Sequence, residues 1–519
     1  MRKHLKVSLL LFCAVGAARA DGTGDGPNNS HTFLWVRPPF QTAMPEKVSG
    51  FWRDAALARD CGISGAFQIV PFGGQTRNAK DLAKYFMFCN KSELVVAEGD
   101  AFNGALEPFA PNYNPNLRDV NANNFNIFTQ DNDFVSTIQF RPRQSFAGVG
   151  LDYKQYMHRR DACEKKWWFQ ISTPLEWVKN SVNLKETSTR TFDPINGSDL
   201  VNTSMVEAFK GLKGQVNAIG GQLVVTGSEW KYGKIKGSHS KFRAADIEVK
   251  IGYDYLCEDM CHAEGYIGGL IPTGNKPKGE YVFEPIVGNN FHGGIMYGGY
   301  WGWEVWSGCD RYLHFEMATN GRYLFKNTQR RSFDVKGKPW SRYQLVYPSA
   351  ADTASLAVTN GINFFTRKVQ VNPRFQKDIN TAFVYTHCRF QGEIGWNFWA
   401  KASEHIKLDR PWEVGPAFAN INNDGTADNN LNRAITIKEI FTGVAHPYRT
   451  AAAIQAEDLD LETAASPCAV TNTIYGSLGW RWDNWCYPVA LNVGGSYEIS
   501  SDKGAVSRYT VWGKFILSL

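Results

Sequence analysis

Beyond its first twenty residues, this 519-residue chain has no run approaching the eighteen apolar residues that a membrane-crossing helix requires. A helical membrane protein is thereby excluded, and the mature chain is either exported and soluble or crosses a membrane as a closed barrel. A charge bias is also lacking. The 56 Lys and Arg exceed the 50 Asp and Glu by six, but Met1–Ala20 holds four of the cations and no acid, leaving +2. No basic stripe remains, and nucleic acid is excluded as a partner. Nor is there an even set of cysteines. Nine follow the leader, at 61, 89, 163, 257, 261, 309, 388, 468 and 486, which fits an oxidising compartment and leaves one without an intramolecular partner.

The leader itself is explicit. Arg2, Lys3, His4 and Lys6 precede an apolar run from Val7 to Ala18, and Ala18-Arg19-Ala20 offers a small-x-small cleavage site. Residues 1–20 therefore read as a secretory signal peptide.

Aromatics and glycine are abundant: 17 Trp, 21 Tyr, 33 Phe and 48 Gly, with a mean hydropathy of -0.34. That mixture suits many half-exposed strands. In "IEVKIGYDY", Ile247, Val249, Ile251, Tyr253 and Tyr255 alternate with Glu248, Lys250 and Asp254. The same period of two places Ile295, Tyr297, Trp301, Trp303 and Val305 on one face, and opposes Leu313, Phe315 and Met317 to Tyr312, His314 and Glu316. It recurs in "FQGEIGWNFWAK" and "PVALNVGGSYEIS". A soluble sandwich alternates too. However, Trp and Tyr sit near the strand ends, as interfacial girdles do, while the opposite faces mix small residues with charges of both signs. Closure also removes the sheet edges that a sandwich would have to protect.

The chain ends on "SRYTVWGKFILSL", with Tyr509, Val511, Gly513, Phe515, Leu517 and Leu519 on one face. This resembles the C-terminal strand of Gram-negative outer-membrane β-barrels, which the assembly machinery recognises, although Leu519 stands where that family has an aromatic. "GGLIPTGNKPKG" and "FEPIVGNNFHGG", Gly268–Gly279 and Phe283–Gly294, are similar to porin-like transporters related to aromatic-hydrocarbon and fatty-acid uptake barrels. The resemblance implies an all-β, transmembrane, antiparallel up-and-down barrel in the cell outer membrane. Its implied partners are outer-membrane lipid, the barrel-assembly machinery through strand 506–519, and a small solute.

Such barrels keep short turns on the periplasmic side and long loops outside. Working back from Leu519, strands are expected at 506–519, 488–499, 470–481, 450–456, 434–441, 381–401, 362–371, 340–347, 322–333, 311–319, 294–306, 263–271 and 247–255. A tight outer turn is expected at Asn320-Gly321, and outer loops at 272–293, 348–361 and 403–432. "FVSTIQFR", "SFAGVGLDYKQYM", "KKWWFQIST", "GQLVVTGSEWKYG" and "GAFQIVPFG" add strands toward the N-terminus, the last interrupted by Pro71. The expected total is about 16–18, with any even number from 12 to 18 admissible. Short helices are expected at Asn78–Phe88 and Thr203–Gly214. With the proline-rich "TFLWVRPPFQTAMPEK", they form either surface helices with a docked N-terminal strap or a plug in the lumen or under the periplasmic mouth. The chain divides into the signal peptide (1–20), an N-terminal periplasmic strap or plug (21–62) and the barrel (63–519).

Chemistry is sparse. "CEDMCH", Cys257–His262, suggests a metal or haem site, but c-type haem attachment needs two residues between the cysteines and here there are three, so a turn disulfide or two separate bridges are preferred. "GSHSKF" puts His239 beside Ser238 and Ser240, where alternation sends neighbours to opposite faces, so no catalytic pair forms. "NINNDGTADNN" falls short of a calcium loop because Asn420 opens it and Leu431 takes the place of the bidentate Glu. No enzyme activity and no cofactor are expected. The expected pore-lining residues are Glu248, Lys250, Asp254, Glu304, His314, Glu316, Glu393, Lys401, Arg508 and Lys514, and the expected function is a porin-like channel for passive diffusion or uptake of small solutes. The alternative is a non-conducting surface, adhesin or envelope structural barrel.

Overall fold

The computed structural model describes residues 30–55, 62–98, 119–129, 134–159, 165–188, 193–194, 199–214, 216–219, 222–225, 227–258, 260–347, 359–412, 417–418, 420–421, 427–428 and 454–519. The leader and the expected strand at 434–441 lie outside these residues, as does most of that at 450–456.

Twelve strands form the barrel: β1 (Gly62–Thr76), β2 (Arg143–Arg159), β3 (Lys166–Ser181), β4 (Ile247–Glu258), β5 (Cys261–Ile271), β6 (Gly294–Gly308), β7 (Arg311–Leu324), β8 (Arg374–His387), β9 (Phe390–Lys401), β10 (Ala469–Trp482), β11 (Val489–Ser500) and β12 (Arg508–Ser518). Each pairs antiparallel with the next. The last pairs with the first, setting Ala66 opposite Ser518, so the sheet closes without an edge. Pro71 lies within β1 and removes one ladder donor there, without ending the strand. Beside β4, Ser238–Ala244 continues the same edge of β3, and the carbonyl of Pro174 accepts the Ala245 N–H at 2.9 Å where the register steps by one.

Period two decides which side each residue faces. Along β3, buried and part-exposed residues alternate from Lys166 to Ser181. On β4, Glu248, Lys250 and Asp254 are buried, whereas Val249, Ile251 and Tyr255 are exposed. Ile267, Ile295, Tyr297, Ile394, Trp396, Ile474, Leu478, Val493 and Val511 continue the exposed apolar belt around the barrel. Large apolar side chains facing out and charges facing in invert a soluble core, and match a barrel with lipid on its outside. No described helix is long and apolar enough to cross a membrane.

The connections divide by length. β2–β3, β4–β5, β6–β7, β8–β9 and β10–β11 join through short turns at one end, where β1 starts and β12 finishes. At the other end the connections 77–142, 182–246, 272–293, 325–373 and 402–468 are long, and only 501–507 is short. These long connections pack into a cap. Helix α1 (Ala79–Phe86), a four-stranded sheet around Glu93–Ala97 and Val135–Gln139, and a three-stranded sheet of Asn327–Ser332, Thr366–Asn372 and His405–Leu408 share one apolar core. At its centre Phe125, Phe209, Trp230, Trp340 and Tyr343 interlock, with Trp230 stacked on Tyr343 at 5.2 Å.

Several expectations change here. The barrel has twelve strands, the low end of the expected range, because period-two segments also occur in the cap. Of the expected strand 362–371, residues 362–364 lie in the helical turn Gly361–Phe364 and 366–371 in the cap strand Thr366–Asn372; Val135–Gln139 is also a cap strand, 340–347 holds a 3-10 turn and a three-residue strand, and Gln222–Val225 forms a hairpin with Val216–Ile219. Asn320-Gly321 makes no turn. β7 runs through it to Leu324, because both flanking strands pair along its whole length. The expected strand 381–401 is two strands, β8 and β9, turning at Cys388, whose φ is 52°. The helix at Asn78–Phe88 forms, but in the cap and not at the end where the short turns lie. The one at Thr203–Gly214 is reduced to Met205–Ala208, capped by Ser204.

A charge on the lipid face is costly in proportion to its depth. Ile394, midway along β9, is 64% exposed. Ile394→Arg is expected to destabilise the barrel by roughly 2–4 kcal/mol, measured by denaturant titration of protein folded into lipid vesicles, while Ile394→Leu is neutral.

Candidate functional site

The lumen is occupied by the chain's own N-terminal segment. Ser30 and Thr32 are held in the cap, where the Ser30 hydroxyl donates to Asp334 at 3.0 Å and the Thr32 N–H donates to the Thr463 carbonyl at 2.8 Å. The segment then descends through the barrel. Phe51, Trp52 and Ala55 pack against Ala66, Tyr156, Trp168, Ala490 and Ile516 near the short-turn end. Its course is irregular because Pro38 and Pro39 forbid helix, and only two single turns form, Pro45–Val48 and Trp52–Ala55.

Three cations on this segment find the barrel's acids. Arg37 donates to Asp378 at 2.7 Å, to Asn397 at 2.9 Å and to Glu498 at 3.4 Å. Lys47 donates to Glu248 at 2.8 Å and to Ser172 at 2.6 Å. Arg53 pairs with Glu316 and, at 3.5 Å, with Glu393. The barrel's cations in turn find the segment's carbonyls: Lys514 donates to Ser49 O at 2.6 Å and Arg508 to Arg37 O at 2.8 Å. With Gln68 on the Lys47 carbonyl, the direct polar partners come from β1, β3, β4, β7, β8, β9, β11 and β12. The segment is anchored on all sides.

Two glycines allow the fit. A Cβ on Gly150 would lie 2.3 Å from the Phe40 ring, so only glycine lets that ring rest on β2. Gly50, at φ 71°, turns its N–H onto Glu393 at 2.8 Å.

Eight of the ten expected pore-lining residues are buried: Glu248, Lys250, Asp254, Glu316, Glu393, Lys401, Arg508 and Lys514. They face inward, but most meet protein rather than an open channel. Glu248 gathers Lys47, Arg322 and Lys250. Lys401 donates to Ser466 at 2.9 Å, where β9 enters the cap. Glu304 and His314 are opposite each other on β6 and β7 near the short-turn end, both partly exposed, and His314 stacks on Tyr312. His239 stacks on Tyr281 at 3.6 Å and is opposite Asn180 in the ladder. Of the acidic loop, Asn420–Ile421 pairs with Ala427–Asp428; residues 422–426 lie outside the described ones. Cys309, Cys388, Cys468 and Cys486 are exposed free thiols, and Cys257 and Cys261 do not bridge. The preferred disulfide reading of "CEDMCH" is thus corrected: the hairpin register sets Cys257 opposite His262.

Sequence reasoning missed the segment's partners. Arg37, Lys47 and Arg53 carry no periodic signal in an irregular stretch, although three cations among the residues that follow the leader were a visible cue. His292 was also missed. It lies under the cap with its ring stacked 5.7 Å from Trp35, its Nδ1–H donating to the Phe325 carbonyl at 2.7 Å and its Nε2 meeting the Gln329 amide at 2.8 Å. Burial lowers its pKa to about 4, and Arg331 and Lys276 disfavour the charged ring further, against the Phe325 carbonyl and Glu404.

No family model matches the sequence, and no curated protein is significantly similar. Among solved structures, an outer membrane channel from Pseudomonas putida F1 aligns at TM-score 0.36 and 8% identity, covering 93% of this chain and 100% of that one. A TodX deletion mutant, described as a monoaromatic hydrocarbon channel, aligns at 0.32 and 7%, covering 89% and 91%. A Pseudomonas aeruginosa FadL homologue aligns at 0.28 and 8%, covering 95% and 98%. At these scores the alignments add nothing to what the strand topology shows.

Two outcomes follow from this geometry. Glu248→Gln leaves three buried cations short of their common carboxylate, which is expected to cost roughly 3–5 kcal/mol and to raise the susceptibility of residues 30–55 to protease in the folded protein. For His292, the unfolded ring gains its proton near pH 6.5 and the folded ring only near 4, so its contribution is complete above about pH 6.5 and is lost as pH falls through about 4. Melting curves from pH 7 to 4 are expected to show a loss of up to about 3 kcal/mol that His292→Gln abolishes.

Proposed function

We propose that this chain is an outer-membrane channel for small solutes whose lumen is closed by its own N-terminal segment. The observation that carries the reading is the kind of bond that holds the segment. A barrel filled for good would have a dry apolar core, as soluble domains do. Here the wall is lined with charges, and beside its apolar contacts at Phe40, Val48 and Trp52 the segment is attached along its length through ion pairs and hydrogen bonds, all of which water can replace. The apolar belt supports a membrane location, and the length asymmetry of the connections supports an orientation with the cap outside and the short turns in the periplasm.

In this reading Arg37, Lys47 and Arg53 act as closure contacts. Asp378, Glu498, Glu248, Glu316 and Glu393 serve the closed state as counter-charges and the open state as part of a mixed-sign lumen wall that sorts solutes by size and charge. Diffusion through that wall is passive, and the finer distinction between a general porin and a dedicated uptake channel rests with the solute.

The test is conductance of the full-length protein in a planar bilayer, alongside a variant lacking residues 30–55 and the variant Arg37→Ala. The intact protein is expected to be mostly silent, the deletion to give stable steps, and Arg37→Ala to open intermittently. A deletion variant that is folded and silent would reject the channel and favour the non-conducting surface barrel.

A further inference from the structure

The bulge in β4 brings together a set of side chains that the closure of the lumen does not use. Asp254 is opposite Glu264 of β5, but Leu256 is opposite Ala263, so Tyr255 is an extra residue that reverses the alternation beyond it. Without that bulge Asp254 and Cys257, three apart, would point to opposite faces. With it, Asp254, Cys257 and His262 turn to the lumen together, and a carboxylate oxygen, the thiol sulfur and a ring nitrogen all lie within 4.8 Å of one another.

We propose that Asp254, Cys257 and His262 form a binding site for a divalent transition cation of zinc's ligand preference, at the periplasmic mouth of the barrel. The donor set of one oxygen, one sulfur and one nitrogen is the borderline mixture that zinc takes. Ligand atoms around a tetrahedral zinc lie about 3.3–3.8 Å apart, so the three need to contract only modestly. Asp254 Oδ1 is already 3.7 Å from His262 Nδ1.

Two further observations point to a ligand. Asp254 is 1% exposed, yet its Oδ1 accepts no hydrogen bond, an arrangement that is costly for a buried carboxylate. Glu264 lies 3.8 Å from the far ring nitrogen of His262, where a carboxylate orients a metal-binding imidazole, and is itself fixed by Lys154 at 2.8 Å and by the Tyr156 hydroxyl at 2.9 Å. Lys166, opposite Asp254 in the ladder, is the nearest opposing cation from β3. Coordination converts the Cys257 thiol, now hydrogen-bonded to His262, to a thiolate and takes the proton from the ligating nitrogen of His262, and both protons are released to solvent. His262 and Cys257 are both partly exposed at the mouth, so water can supply a fourth ligand.

The test uses the full-length protein in detergent, stripped with chelator and titrated with Co(II) as an optical probe, then with Zn(II) as competitor. One equivalent is expected to bind with a thiolate-to-cobalt charge-transfer band that Zn(II) abolishes. Cys257→Ser removes the band, Cys309→Ser keeps it, Asp254→Asn weakens binding at least about tenfold, and Glu264→Gln weakens it roughly 10–100-fold. Folding of each variant is checked by its heat-modifiable migration on gels. Absence of a thiolate band in the unmodified protein, or its persistence in folded Cys257→Ser, overturns the site. Because the readout is independent of conductance, it stands or falls apart from the gating proposal.

Discussion

Everything inside this barrel answers to one constraint: a closed sheet with lipid outside must carry its charged residues inside, and a charge away from water needs a partner. The twelve strands turn Glu248, Glu316, Asp378, Glu393 and Glu498 inward, and strand pairing alone cannot neutralise them all. Some pairs form across the wall, as between Arg508 and Glu498 at 2.6 Å and Arg322 and Glu248 at 2.5 Å. The remaining charge is met by Arg37, Lys47 and Arg53, spaced along one segment so that each falls at a different depth. The order of cations in the sequence is therefore an axial order in the lumen.

The cap follows from connection length. Long loops cannot remain solvated strings without large entropic cost, and here five connections combine their apolar residues into one core. Phe33 and Trp35 join a smaller cluster with Leu270, Met296 and Leu324 at the junction of cap and barrel, so the N-terminal segment is gripped by an apolar contact at the top and by ion pairs interleaved with apolar contacts below. His292 sits at that junction, coupling the protonation of one ring to the contact between Trp35 and the cap.

Strand identity was legible because lipid and lumen impose opposite preferences on successive residues; "IEVKIGYDY" and "SRYTVWGKFILSL" needed no partner to be read. Strand number was not, since Asn327–Ser332 and Thr366–Asn372 alternate for a different reason, having one face on the cap core. The Asn320-Gly321 pair shows the limit of local turn chemistry: two flanking strands outweigh a favourable dipeptide. The inward direction of Glu248, Lys250 and Lys514 was readable from parity, but their partners were not, because residues 30–55 lack regular structure and their contacts span up to several hundred positions. At "CEDMCH" the residues were legible and the geometry was not: a one-residue bulge decides whether Asp254 and Cys257 meet.

The energetics of closure make a removable plug reasonable. An ion pair shut away from water roughly breaks even against its desolvation, so the bonds of Arg37, Lys47 and Arg53 specify where the segment sits more than they add to net stability. Were the segment withdrawn, water would enter and solvate both sets of charges, recovering most of what the pairs supply. The balance then rests on the apolar contacts, Trp35 beneath the cap, Phe40 against Phe72 within the lumen and Trp52 in the cluster with Tyr156, which water cannot replace. Breaking a mid-lumen pair while leaving its partner buried strands a charge away from water and is strongly destabilising, whereas the apolar ends loosen without that penalty, and the ends are the parts of the segment nearest the cap on one side and the short turns on the other.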